Sequence, residues 1–192
     1  MTLSTSSAID GARAEASRAS AHGAPWLLAY GSTLAVAAVV SFVTSVEVTA
    51  LVTLFQGGVA LPLAFLLERR LGTGRLTTDH PLSSLLVQVA MVQSLAMPAV
   101  LLMYATRPEL VAATLAAIAG GHFLPYVWLH RTRIYLILGL AVSLGSWAMT
   151  AVIRARPDRA VLTWWTACYL VAAVLLLRLD RARQRSAEPS IG

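Results

Sequence analysis

Six apolar stretches, each about twenty residues long, run through this chain, and no soluble fold can cover them. They lie at about 25–45, 47–67, 81–105, 109–129, 133–153 and 160–177. A helix rising 1.5 Å per residue needs ~20 residues to cross ~30 Å of hydrocarbon. The sixth stretch is the shortest, and Arg178 can snorkel to lengthen it. None alternates steadily between apolar and polar residues, and each is about twice the length of a membrane barrel strand. The expected fold is all-α: a polytopic transmembrane helical bundle with six membrane spans. Composition agrees, with 57% hydrophobic and 12% charged residues among 192. Those shares lie above and below the usual range of a soluble domain.

The remaining chain divides into two tails. Residues 1–24 are rich in Ser and Ala, lack an apolar period, and read as a disordered cytoplasmic tail. Residues 25–177 form the six-span domain, and 178–192 form a basic cytoplasmic tail that extends the last helix. No cleavable signal peptide is expected, so the first span acts as an anchor.

Arginine placement sets the expected orientation. All 15 basic residues are arginine, a bias of GC-rich bacterial genomes. With both termini cytoplasmic, 11 arginines (13, 18, 69, 70, 75, 131, 133, 178, 181, 183 and 185) lie inside and 4 (107, 154, 156 and 159) outside. The dissenting loop is "RARPDR". Because the arginines separate apolar spans rather than cluster on one surface, no nucleic-acid partner is expected. The lipid bilayer is. The bacterial cytoplasmic membrane is the expected location. Capping-box spacing places Thr44 before Glu47 and Thr106 before Glu109 at two helix starts, and Asp79 reads as a cap for the third span. Glu47 and Glu109 have a second reading as cation sites at an outer mouth.

Polar residues and prolines interrupt three spans. Pro62, Pro98 and Pro125 each free a carbonyl one turn earlier and are expected helix breaks. Gln56, Gln93 and His122 precede them in "FQGGVALP", "VQSLAMP" and "GGHFLP". Two readings stay open: three broken helices around a polar cavity, or ordinary packing between helices. Tyr126, four residues after His122, shares its helix face. The candidate cavity residues are therefore His122, Tyr126, Gln56 and Gln93. An ionisable residue inside a span is a functional hypothesis by default, yet a neutral histidine bonded across a helix interface is the plainer reading.

The fourth span carries Ala113, Ala117 and Gly121, beside Ala112, Ala116 and Gly120. The fifth has Gly139 and Ser143. Such spacing lets helix backbones approach, so the fourth span is expected at the centre of the bundle. Trp164, Trp165 and Tyr169 suit an interfacial aromatic belt. No second histidine is expected at the depth of His122: His130 reads as interfacial, and His22 and His80 lie outside the apolar core. No span carries a deep carboxylate. Neither haem nor metal is expected, and Cys168, the one cysteine, forms no intramolecular disulfide.

"GGHFLPYVWLHRTRIYLILG", "HPLSSLLVQVAMVQSLAMP" and "LVTLFQGGVALPLAFLLERRLG" together resemble a family of small bacterial integral membrane proteins classed as a domain of unknown function. The resemblance covers about residues 26–150. It rests on a Gly-x-His-Phe-Leu-Pro-Tyr pattern, here Gly120, His122, Phe123, Leu124, Pro125 and Tyr126. His80, Pro81 and Leu82 stand where the family has an Asn-Pro-Leu-like start to the third span. The resemblance implies the architecture and no activity, substrate or cofactor.

Small-solute or proton-coupled transport leads the functional readings, with an unidentified small-molecule substrate. The proline breaks do not repeat between two halves, and a homo-oligomer would supply the missing symmetry. The alternative is a non-catalytic membrane scaffold, sensor or accessory subunit. No metalloprotease, serine-hydrolase or phosphate-loop motif is present, so no enzyme is expected.

Overall fold

The computed structural model describes residues 5–72 and 80–187. Arg75 and Asp79 lie outside them. Nine α-helices are described: α1 (Thr5–Ala19), α2 (Ala24–Val43), α3 (Val46–Leu71), α4 (Ser83–Leu95), α5 (Met97–Thr106), α6 (Val111–His122), α7 (Leu124–His130), α8 (Ile134–Val152) and α9 (Pro157–Ala187). Among the described residues there is no strand. Six spans are long and apolar enough to cross a membrane: α2, α3, α4 with α5, α6 with α7, α8 and α9. An even number of spans puts both ends of the chain on one side, here called the termini end. The other side is the hairpin end.

Helices α2, α6, α8 and α9 form the packed centre, with α3 against α2 and the third span against α6. Lipid is as apolar as leucine, so close packing rather than water exclusion must hold helices together. The sequence meets that need with alanine and glycine. Ala112, Ala113 and Ala116 of α6 are buried among Leu34, Val142, Leu162 and Leu176. A Cβ on Gly120 would lie 2.6 Å from the Gly139 carbonyl oxygen and 2.7 Å from Ser143 Cβ. The α6 and α8 backbones therefore touch, and the fourth span is central as expected. Of its two small-residue stripes, Ala112–Ala116–Gly120 makes this contact. Gly121 faces open space.

The prolines behave differently. At Ala96 and Phe123 the backbone N–H bonds tighten to the carbonyls of Gln93 and Gly120, each at 3.2 Å, and a new helix starts with Pro98 or Pro125 in its first turn. Pro62 ends nothing: α3 runs unbroken from Val46 to Leu71. One absent N–H leaves the neighbouring turns bonded, so a helix packed along α2 continues through it.

Four other expectations change. Within the expected tail 1–24, the described residues are not structureless: Thr5–Ala19 form α1, which docks on the bundle. The sixth span starts at Pro157 rather than near 160, and the expected helical extension of its basic tail is present as far as Ala187, which makes α9 31 residues or ~46 Å long. Trp165 and Tyr169 form no belt but face the core at 4% exposure each, because α9 is enclosed by α2, α6 and α8. The cap of α3 is Ser45, whose Oγ accepts from the Val48 N–H at 3.4 Å. Thr44 instead bonds back to the Val40 carbonyl. Thr106 closes α5 by donating to the Leu102 carbonyl at 2.7 Å, and Glu109 accepts from Arg107.

The dissenting arginine loop is explained at the hairpin end. Arg156 donates to the carbonyls of Thr44 and Ser41, each at 3.0 Å, and pairs with buried Asp158 at 2.8 Å. Arg159 Nε donates to the same Ser41 carbonyl at 2.9 Å. These are carbonyls that the end of α2 cannot satisfy itself. The hydrogen bond with Asp158 raises the Arg156 pKa further above its ordinary value. Arg156 and Arg159 thus serve as a C-cap for the first span.

Candidate functional site

At the termini end the chain turns sharply between α1 and α2. Ala21, His22 and Gly23 take φ values of 45°, 55° and 79°, three left-handed residues in a row. Only glycine adopts that region freely; the others cost ~1–2 kcal/mol each. The contacts of His22 offset this. Its ring is 1% exposed. Nδ1 lies 3.1 Å from Asp180 Oδ1, Nε2 lies 2.8 Å from Arg183 Nη1, and its carbonyl accepts from Tyr135 Oη at 2.7 Å. Strain held by surrounding contacts is a feature of functional sites.

The partners assign the tautomer. A neutral His22 with its proton on Nδ1 donates to the Asp180 carboxylate and accepts from the Arg183 guanidinium. Both bonds are then satisfied. A second proton on Nε2 sets an N–H against the N–H of Arg183, so protonation must displace Arg183, which is solvent-exposed and free to swing away.

The elbow folds α1 across the end of the bundle. Ser17 Oγ is 3.0 Å from His130 Nδ1, and Arg13 lies over the Trp128 ring, 4.3 Å from its centroid, while donating to the Trp128 carbonyl. Arg131 pairs with Asp10. Glu15 Oε2 is 3.8 Å from His80 Nε2. Under this cover His130 and His80 are 2% and 6% exposed.

From the elbow a line of rings leads into the membrane. His22 and His130 have centroids 5.8 Å apart. Tyr126 stacks on His130 at 5.8 Å and 14°. Tyr126 Oη is 3.4 Å from His122 Nε2. The spacing 122–126–130 on one helix face builds the line, and Tyr135 flanks it at 5.3 Å from His130. His122 Nδ1 is buried without a hydrogen bond of ordinary geometry, and the Val89 backbone carbonyl faces the ring.

Not all sequence candidates meet. His122 and Tyr126 are in contact. Gln93 lies one turn after Val89 on the same face of α4, near their level. Gln56 is elsewhere: it accepts from Thr33 between α2 and α3. Gln56 is thus held apart from His122 and Tyr126. His22, His130, Asp180, Arg183 and Ser17 were missed. One signal was present, a lone acid in the basic run "RLDRARQR". No group of three or more His, Cys, Asp or Glu among the described residues could hold a metal ion.

The family model of DUF7010, a family of unknown function, matches residues 9–179. The chain belongs to DUF7010. No curated protein and no solved structure matches it. The DUF7010 match extends beyond the resemblance over about 26–150 at both ends. It takes in most of α1 and most of the last span; the elbow and Tyr135 fall inside it, and Asp180 and Arg183 lie just beyond it.

Proposed function

We propose that this DUF7010 chain is a proton-coupled carrier of a small solute in the bacterial cytoplasmic membrane, with both termini inside. The line His22–His130–Tyr126–His122 carries the reading, since it connects a charged, strained elbow to a histidine ~12 Å in from the termini end of its span. Histidine changes charge in the physiological range, and tyrosine both donates and accepts. The line covers only the termini-side half of the span, and the rest of α6 is Ala-rich, with no ionisable side chain. That favours a carrier exposing one proton site in turn over a continuous pore. The 11-to-4 arginine bias supports the orientation, all the more because Arg156 and Arg159 are occupied in capping.

The test is reconstitution of the full chain in liposomes with an internal pH dye, under an imposed gradient and with candidate solutes. The parent is expected to move protons with a solute, and His122→Ala and His130→Ala to lower the rate at least roughly tenfold, the scale of losing a positioned proton-transfer group. Unchanged rates in both variants would end the assignment. Orientation is tested by labelling Arg70→Cys in a Cys168→Ser background: labelling by an impermeant thiol reagent only from the cytoplasmic side is expected, and labelling from outside overturns it.

A second reading, a non-catalytic accessory subunit, has one observation in its favour. The third span is barely covered by the rest of the chain, with Leu95 82% exposed. Absence of flux together with recovery of a stoichiometric partner from native membranes would select it.

A further inference from the structure

We propose that the hairpin end holds an anionic phospholipid, with Arg159 binding its phosphate and one acyl chain lying in the cleft beside it. The cleft, of about 600 Å³, is open to the surface and is lined by Phe42, Met149, Ile153, Trp164 and Ala167, with Arg159 among its walls. Trp164 is fixed: its indole N–H donates to the Ala141 carbonyl at 2.8 Å, and a Cβ on Gly145 would lie 2.5 Å from that nitrogen. The wall is therefore preformed.

The charge is the second observation. Arg156 is matched by Asp158, but Arg159 uses only Nε, and its two terminal nitrogens carry no hydrogen bond or ion pair among the described residues. Its guanidinium lies 5.4 Å from the Phe42 ring centroid, which orients it at the cleft. It sits in the first turn of α9, where the helix dipole disfavours a cation. A phosphodiester accepting both terminal N–H groups satisfies the fork and removes that penalty. An apolar groove beside a half-used arginine, at the level where a span meets the headgroups, fits an amphiphile with one negative charge better than a neutral lipid.

The experiment is native mass spectrometry of the full chain in detergent, titrated with phosphatidylglycerol, phosphatidylcholine of the same chains, or glycerophosphate. One tightly held phosphatidylglycerol per chain is expected, preferred roughly five- to tenfold over phosphatidylcholine, the scale of one arginine at a lipid surface. Arg159→Gln is expected to abolish the preference, Arg154→Gln to keep it, and Ala167→Trp to weaken binding by filling the cleft with Arg159 intact. Equal loss in Arg154→Gln, or an unchanged preference in Arg159→Gln, overturns the proposal. So does displacement of the lipid by an equal concentration of glycerophosphate, which would assign the site to the phosphate alone. Should Arg159→Gln fail to fold, Ala167→Trp decides: undiminished binding there overturns the cleft.

Discussion

Replacing Gly120 with valine is expected to lower the thermal midpoint of the detergent-solubilised protein by on the order of 10 °C, or to prevent recovery of folded chain. Gly121→Val, one residue away, is expected to change it little. The difference lies in what each new side chain meets. At 120 a Cβ would fall 2.6 Å from the Gly139 carbonyl oxygen and 3.0 Å from the Ser143 nitrogen, which are backbone atoms with no rotamer to change. At 121 nothing lies within 4 Å. Overpacking a dry interface costs about 1–3 kcal/mol when side chains can yield, and more when backbones must separate. Differential scanning fluorimetry of the two variants is the measurement. Equal destabilisation would mean that α6 presents another face to α8.

The second large effect is expected from Asp180→Ala. Asp180 accepts from His22 and, through Oδ2, from Gln184 at 2.7 Å. Its removal leaves a buried Nδ1–H without a partner, at about 1–3 kcal/mol. The left-handed Ala21 and His22 then lose the contact that holds them. Hydrogen exchange over residues 7–22 should quicken roughly ten- to hundredfold while α8 and α9 stay protected. His22→Asn separates strain from contact, because asparagine tolerates the left-handed region but lacks the ring. It should keep the turn yet lose the link to Arg183. Exchange in Asp180→Ala no faster than in the parent would show that α1 is held by Arg13, Ser17 and Arg131 without the elbow.

The spans were legible because hydrocarbon demands a long apolar run, and the run is written locally. Their ends were less so. The end of α2 depends on Arg156, more than a hundred residues away, and the start of α3 on Ser45 rather than Thr44. Helix α1 was illegible for a physical reason. Its docked side is built from Ala16, Ser17 and Ala19, small residues that give no apolar period, and Arg13 and Ser17 find partners on α7. Depth along a span could be counted from the sequence, which placed His122 and Tyr126 together. Angle around the bundle could not, so Gln56 was grouped with a site it does not reach. The cover that α1 lays over His130 was not legible either, because nothing local to His130 marks a helix more than a hundred residues away.

The Arg156 clamp bears on how the protein is made. The first span leaves the ribosome with the carbonyls of Ser41 and Thr44 unanswered, and their donor is not synthesised until the fifth span is complete. At the other end His22 waits still longer for Asp180. α2 is thus finished only by residues made after α8. Chains cut before residue 156 should insert yet remain open bundles, exposed to membrane quality control. Separately expressed fragments joining at that loop should recover a closed bundle only when both are present.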